Sequence, residues 1–90
     1  MLIKVSEAKK QLTEFQGWRV RSTEMAKVFE FADFHQSMDF VNQVAVQAIK
    51  FNHHPEIDIR YNKVMITLST HDEGGITQKD VEVAKAIEQI

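Results

Sequence analysis

The 90-residue chain contains no cysteine. That excludes disulfides and thiolate metal sites, and with them the usual staples of a small secreted fold. A reducing cytoplasm is the expected location. Proline occurs once and glycine three times, so little interrupts regular structure and most residues can belong to helices or strands. No apolar run approaches the ~20 residues that span a membrane, and Met1-Leu2-Ile3-Lys4-Val5 is too short and too charged to act as a signal peptide. An excess of positive charge is also missing. The net charge is -2, and lysines and arginines are scattered among acids. Direct nucleic-acid binding needs a basic face to displace counterions and is not expected.

What is present suits one domain over residues 1–90. Hydrophobic residues make up 43% and charged residues 27%, values of an ordinary globular chain. A chain of this size has a small core and marginal stability.

Ser6 is positioned to cap a first helix, with Ala8, Leu12 and Phe15 on one face and Gly17 at its end. Trp18–Val20 alternates as a short strand, Arg21–Glu24 is a polar turn, and Lys27–Phe31 is a second strand with Phe29 and Phe31 on one side. Asp33 can cap the longest element, a helix running to about Asn52. Its apolar residues form two stripes. Phe34, Met38, Val41, Ala45, Ala48 and Ile49 make the first, and Phe40, Val44 and Phe51 the second. Together they are wider than one sheet face requires. Either the helix lies deep in the core, or one stripe packs on the sheet and the other, that of Phe40, Val44 and Phe51, meets a partner subunit; the second reading is preferred in so short a chain.

His53-His54-Pro55 breaks the long helix, since proline disfavours helical geometry in the residue before it. Glu56–Tyr61 alternates as a half-buried strand, and Asn62-Lys63 makes a turn. The next strand has Val64, Ile66 and Leu68 on one face and Met65, Thr67, Ser69 and His71 on the other. After a loop at Asp72–Gly75, Thr77 and Asp80 have capping-box spacing for a last helix whose inner face is Val83, Ala86, Ile87 and Ile90. The order αββαββα, with short turns between paired strands, implies an α+β fold: a four-stranded antiparallel sheet with helices packed on one face.

Three of the four histidines fall at this end of the chain. His53 and His54 lie where helix gives way to strand, and His71 lies at the end of the hairpin that follows. The hairpin folds back, so all three converge. Imidazole exchanges protons near neutral pH, and several imidazoles without cysteine point to proton transfer more than to metal binding. One histidine of the adjacent pair can face a pocket while the other braces its wall. Asn52 and Glu56 flank the pair and can orient an imidazole by hydrogen bonding. Asp80 can serve its capping box and still present a carboxylate nearby. Zinc is the alternative, but no H-x-x-x-H pair shares a helix face, and His35 lies about 27 Å away along the long helix at 1.5 Å per residue.

These residues resemble the pterin-4a-carbinolamine dehydratase family, whose members are also known as dimerisation cofactors of a homeodomain transcription factor. The resemblance rests on His53-His54-Pro55-Glu56, Tyr61-Asn62-Lys63-Val64, Ile66-Thr67-Leu68-Ser69-Thr70-His71 and Asp80. It extends to Phe29-x-Phe31-x-x-Phe34, Val44-Ala45, Gln47-Ala48, Ala84 and Ile87-Glu88-Gln89. It implies dehydration of a 4a-hydroxytetrahydropterin to a quinonoid dihydropterin, in tetrahydrobiopterin-type recycling, with no metal and no organic cofactor. It also implies a homodimer or homotetramer built through the long helix. By the same resemblance His53 and His71 are the acid–base pair, and His54 acts with them or holds the pterin. Asn52, His54, Pro55, Glu56, Ser69, Thr70 and Asp80 then form the substrate-binding set, with Asp80 orienting the site.

The chain departs from the family at Ile49, where an acid is common, at Ile57, where an aromatic is common, and at Asn52, where some members have Asp. Two other functions suit the same fold. One is a non-catalytic module that bridges a partner protein, and the other is a pterin-binding accessory protein in molybdopterin metabolism.

Overall fold

A computed structural model describes all residues, Met1–Ile90. The elements are α1 (Val5–Gln11), β1 (Arg19–Val20), β2 (Met25–Glu30), α2 (Phe34–Phe51), β3 (Glu56–Arg60), β4 (Lys63–Leu68) and α3 (Gln78–Glu88), with a single 3₁₀ turn at His71–Glu73 before α3. The expected α+β order is therefore present. The four strands form one antiparallel sheet in the order β1-β2-β4-β3, and the helices cover one face.

Alternation in the strands decides which side chains meet the helices. Met25 of β2 and Val64, Ile66 and Leu68 of β4 are fully buried. Register pairs Met25 with Leu68, and Ile57 and Ile59 of β3 with Ile66 and Val64. The opposite face is open, with Val28 and Met65 paired across it and both exposed. Lys27 also points to the covered side. Its ammonium lies 2.5 Å from a Glu88 carboxylate oxygen that also accepts from Trp18 Nε1 at 2.9 Å. A half-buried charge needs such a partner, and this pair ties the end of α3 to β2.

Several expected details shift. α1 begins after Lys4 and has no side-chain cap, so Ser6 lies inside the helix rather than before it. The hairpin turn is Tyr61-Asn62, with Tyr61 at φ 53°, one residue earlier than expected. On α3, Val81, Val83, Ala84 and Ile87 are buried, whereas Ile90 is 40% exposed. Ala86 is only partly buried.

The largest correction concerns α2. Asp33 caps it as expected, accepting from the Gln36 amide at 2.8 Å. Its two apolar stripes, however, do not divide between sheet and partner: Ala48 of the first is buried and Val41 packs on the core. Phe40 and Val44, assigned to a partner, are buried in the chain's own core. The Phe40 ring lies 4.8 Å from that of Phe29 and 5.0 Å from that of Phe31. This ring packing against both β2-side aromatics turns Phe40 toward the sheet. With a rotation of about 100° per residue, this choice moves Phe34, Val46 and Ile49 outward. They are 49%, 60% and 75% exposed. Phe51, at the end of the helix, is 36% exposed.

Ile66 sits at the centre of the covered face with no exposure. Ile66→Ala is expected to lower folding stability by about 2–5 kcal/mol, measured as a shift of the urea midpoint at constant slope.

Candidate active site

The site begins with the way α2 stops. Asn52 adopts the left-handed conformation (φ 50°, ψ 44°). Its amide bonds the Ile49 carbonyl at 3.1 Å, and the His53 amide bonds the Ala48 carbonyl at 3.0 Å. This is a Schellman ending, which satisfies the last helical carbonyls. Asparagine is among the few residues other than glycine that take this conformation readily. The helix therefore ends three residues before Pro55, by chain reversal and not by the ring. Reversal sends His53 back across the end of the helix toward the start of α3.

The opposing wall comes from the segment after β4. Thr70 and Gly75 form an isolated antiparallel bridge, and their backbones bond at 2.8 Å. A Cβ on Gly75 would lie 2.5 Å from the Ser22 carbonyl oxygen, a distance no side chain tolerates, so this closure needs glycine. The closed loop holds Thr70 over α3 and puts His71 at the start of the 3₁₀ turn, three residues beyond β4. His71 was expected at the strand's own end.

Asp80 joins the two sides. It lies in the first turn of α3 with no exposure and forms a capping box with Thr77. Its Oδ2 accepts from the Thr77 amide at 2.8 Å and from the Thr70 hydroxyl at 2.8 Å. Its Oδ1 lies 2.5 Å from His53 Nε2. The His53 side chain is 11% exposed. Thr70 and Thr77 are themselves linked, Oγ1 to Oγ1, at 2.8 Å. Short contacts to a charged carboxylate are the stronger class of hydrogen bond.

Above this network lies a cleft of about 360 Å³ lined by Asn52, His53, His54, Ser69, Thr70, His71, Asp72 and Lys79. All three expected histidines therefore share one wall system, together with Asn52, Ser69 and Thr70. Asp80 lies beneath and reaches the cleft through His53 and Thr70. Pro55 and Glu56 are not in the lining. Glu56 opens β3 opposite Thr67, on the strand rather than in the cleft, and neither it nor Asn52 hydrogen-bonds an imidazole. Ile49 and Ile57 are also outside the lining: Ile49 is exposed on α2 and Ile57 packs against the core. His35 pairs instead with Asp39 on α2, at 3.4 Å. Asp72 and Lys79 were not expected. Each adjoins a residue that was, His71 and Asp80, and the 3₁₀ turn and first turn of α3 bring them in. A lining with no hydrophobic residue suits a polar, hydrogen-bonding ligand.

Comparison with known proteins agrees with the resemblance and extends it to the whole chain. The family model described as "Pterin 4 alpha carbinolamine dehydratase" matches residues 1–90. A protein of Sulfolobus acidocaldarius, provisionally named pterin-4-alpha-carbinolamine dehydratase, is 40% identical over 90 residues, 100% of this chain and 99% of its own. One of Herpetosiphon aurantiacus with the same provisional name is 48% identical over 79 residues, 88% of this chain and 82% of its own. Among solved structures, a transcriptional coactivator/pterin dehydratase from Brucella melitensis superposes with a TM-score of 0.89 at 33% identity, covering 99% of this chain and 97% of that one. A pterin dehydratase-like RuBisCO assembly factor of the alpha-carboxysome shares the fold, with a TM-score of 0.70 at 20% identity over 83% of this chain and 89% of that one.

Proposed function

We propose that this chain, which belongs to the pterin-4-alpha-carbinolamine dehydratase family, removes water from a 4a-hydroxytetrahydropterin to give a quinonoid dihydropterin. The observation that carries this reading is the pairing of His53 with the buried carboxylate of Asp80, in a cleft that two further imidazoles also line.

The chemistry asks for two proton movements. A ring nitrogen of the pterin loses its proton and pushes its electrons toward C4a. The C4a–O bond breaks, and the departing hydroxyl takes up a proton to leave as water. No electron acceptor enters the balance, so acid–base groups are sufficient. His53 and His71 carry the two transfers, one as base and one as acid. Both rings then exchange protons with solvent through the open cleft and return to their starting states. His54, Asn52 and Ser69 contribute the polar contacts that hold the pterin. Positioned acid–base groups give ~10²–10⁴-fold, about 3–5 kcal/mol of barrier at ~1.36 kcal/mol per decade.

The reading includes self-association through α2. Its outward flank exposes Phe34, Val46 and Ile49, and exposed apolar side chains gathered on one helix are of the kind that marks interfaces on small domains. Light scattering at micromolar concentration is expected to give a dimer or tetramer, and Ile49→Asp to shift it toward the single chain. A wild-type protein that is monomeric under these conditions removes this part of the reading.

The direct test is the absorbance-monitored dehydration of a freshly generated 4a-hydroxytetrahydropterin. The wild-type chain is expected to accelerate it. His53→Ala and His71→Ala are each expected to lose at least about tenfold of that acceleration, a part of the ~10²–10⁴-fold that such groups supply. A folded wild-type chain with no effect on the rate contradicts the proposal.

A further inference from the structure

We infer that Thr70 and Thr77 are positioning residues: their hydroxyls form a one-way hydrogen-bond chain that holds Asp80 in the orientation in which its other oxygen keeps the proton of His53 on Nε2, leaving Nδ1 as the atom that exchanges protons in the cleft. This deepens the dehydratase reading and rests on it for its kinetic consequences.

An ionised carboxylate only accepts, and a threonine hydroxyl has one proton to give. Asp80 Oδ2 lies 2.8 Å from Thr70 Oγ1, so the Thr70 proton points to Asp80. Thr70 Oγ1 also lies 2.8 Å from Thr77 Oγ1. With its own proton committed, Thr70 must accept there, and Thr77 must donate. Thr77 keeps lone pairs free for the backbone amide of Asp80, the other half of the capping box. Every hydrogen in the chain then has one direction: Thr77 to Thr70, and Thr70 to Asp80.

The same logic sets the tautomer of His53. Asp80 Oδ1 has no proton to offer, so the 2.5 Å contact requires hydrogen on Nε2. Nδ1 has no hydrogen-bond partner. No buried side-chain nitrogen or oxygen in the chain lacks a partner, so Nδ1 is open to solvent, on a residue that lines the cleft. Neutral His53 is therefore a base at Nδ1, and protonated His53 is an acid at the same atom.

Two roles change as a result. Thr70 lines the cleft, yet its hydroxyl proton is directed away from it and is unavailable to a substrate acceptor. Thr77 is buried and touches no ligand, yet it determines where the Thr70 proton points. Orientation of a catalytic imidazole by a carboxylate on its far nitrogen is a general device for selecting a tautomer. In this chain the carboxylate is itself oriented by two hydroxyls and an amide.

The test uses the ¹⁵N-labelled full chain and the same dehydration assay. Long-range ¹H–¹⁵N spectra are expected to show His53 with a protonated Nε2 and a bare Nδ1 at a pH where the ring is neutral. Thr70→Val keeps the shape but cannot donate, and it strands the Thr77 hydroxyl. It is expected to leave the proton on Nε2, since the carboxylate still only accepts, but to speed exchange of that proton with solvent as Asp80 loosens, and to lower kcat about tenfold, equivalent to ~1.4 kcal/mol, with little change in KM. Thr70→Ser restores the donor and is expected to recover both the slow exchange of the Nε2 proton and kcat.

A wild-type His53 protonated on Nδ1 overturns the inference whatever the activity. So does a folded Thr70→Val chain with unchanged kcat and unchanged exchange of the Nε2 proton, or one whose loss lies in KM alone. If Thr70→Val does not fold, Thr70→Ser decides between the alternatives: slow exchange of the Nε2 proton and native kcat support the inference, and loss of either overturns it. An inactive wild-type chain contradicts the dehydratase reading, and the spectra still decide the tautomer.

Discussion

One buried carboxylate holds this small fold and its candidate chemistry together. Asp80 has no contact with solvent, and a charge in that position is tolerable only if it is surrounded by donors. The donors come from three places far apart in sequence: the Thr77 amide that starts α3, the Thr70 hydroxyl beyond β4, and His53 beyond α2. Removing one of these would leave a buried acceptor short of a partner, which costs more than a typical hydrogen bond contributes. The end of α2, the loop after β4 and the start of α3 are thus held by the same atom pair that orients the imidazole.

The backbone supplies what the side chains need. A Schellman turn at Asn52 ends α2 and reverses the chain, so His53 points toward α3 rather than continuing along the helix. Gly75 allows the Thr70–Gly75 bridge to close against Ser22, which holds Thr70 within reach of Asp80. The Lys27–Glu88 pair fastens the other end of α3 to β2. α3 is therefore anchored at both ends, and its first turn can hold the carboxylate at a defined height beneath the cleft.

Much of this was legible in the sequence because it is local. Asp33 before α2, the Thr77-x-x-Asp80 spacing and the alternation of Val64, Ile66 and Leu68 each identify an element or its start from a few neighbouring residues. The convergence of His53, His54 and His71 followed from the hairpin between them. What was not legible depends on long-range packing. Two apolar stripes on α2 were visible, but their assignment turned on the packing of the Phe40 ring against Phe29 and Phe31. Lys79 and Asp72 enter the cleft through the geometry of the 3₁₀ turn and α3, which no spacing rule encodes. Asp80 was legible as a cap. That its second oxygen reaches His53 is a consequence of how α2 stops, and a left-handed asparagine before a histidine pair is a weak signal by itself.

The central claim is that Asp80 acts on the chemistry by orienting His53. The most direct test is a double-mutant cycle on the dehydration rate, comparing His53→Ala, Asp80→Asn and the combined variant, with folding of each checked by circular dichroism. If the two residues act as one unit, their effects are not additive. The account predicts that the combined variant is no slower than His53→Ala alone. Losses that multiply in the combined variant would contradict it, because Asp80 would then contribute independently of the imidazole it holds.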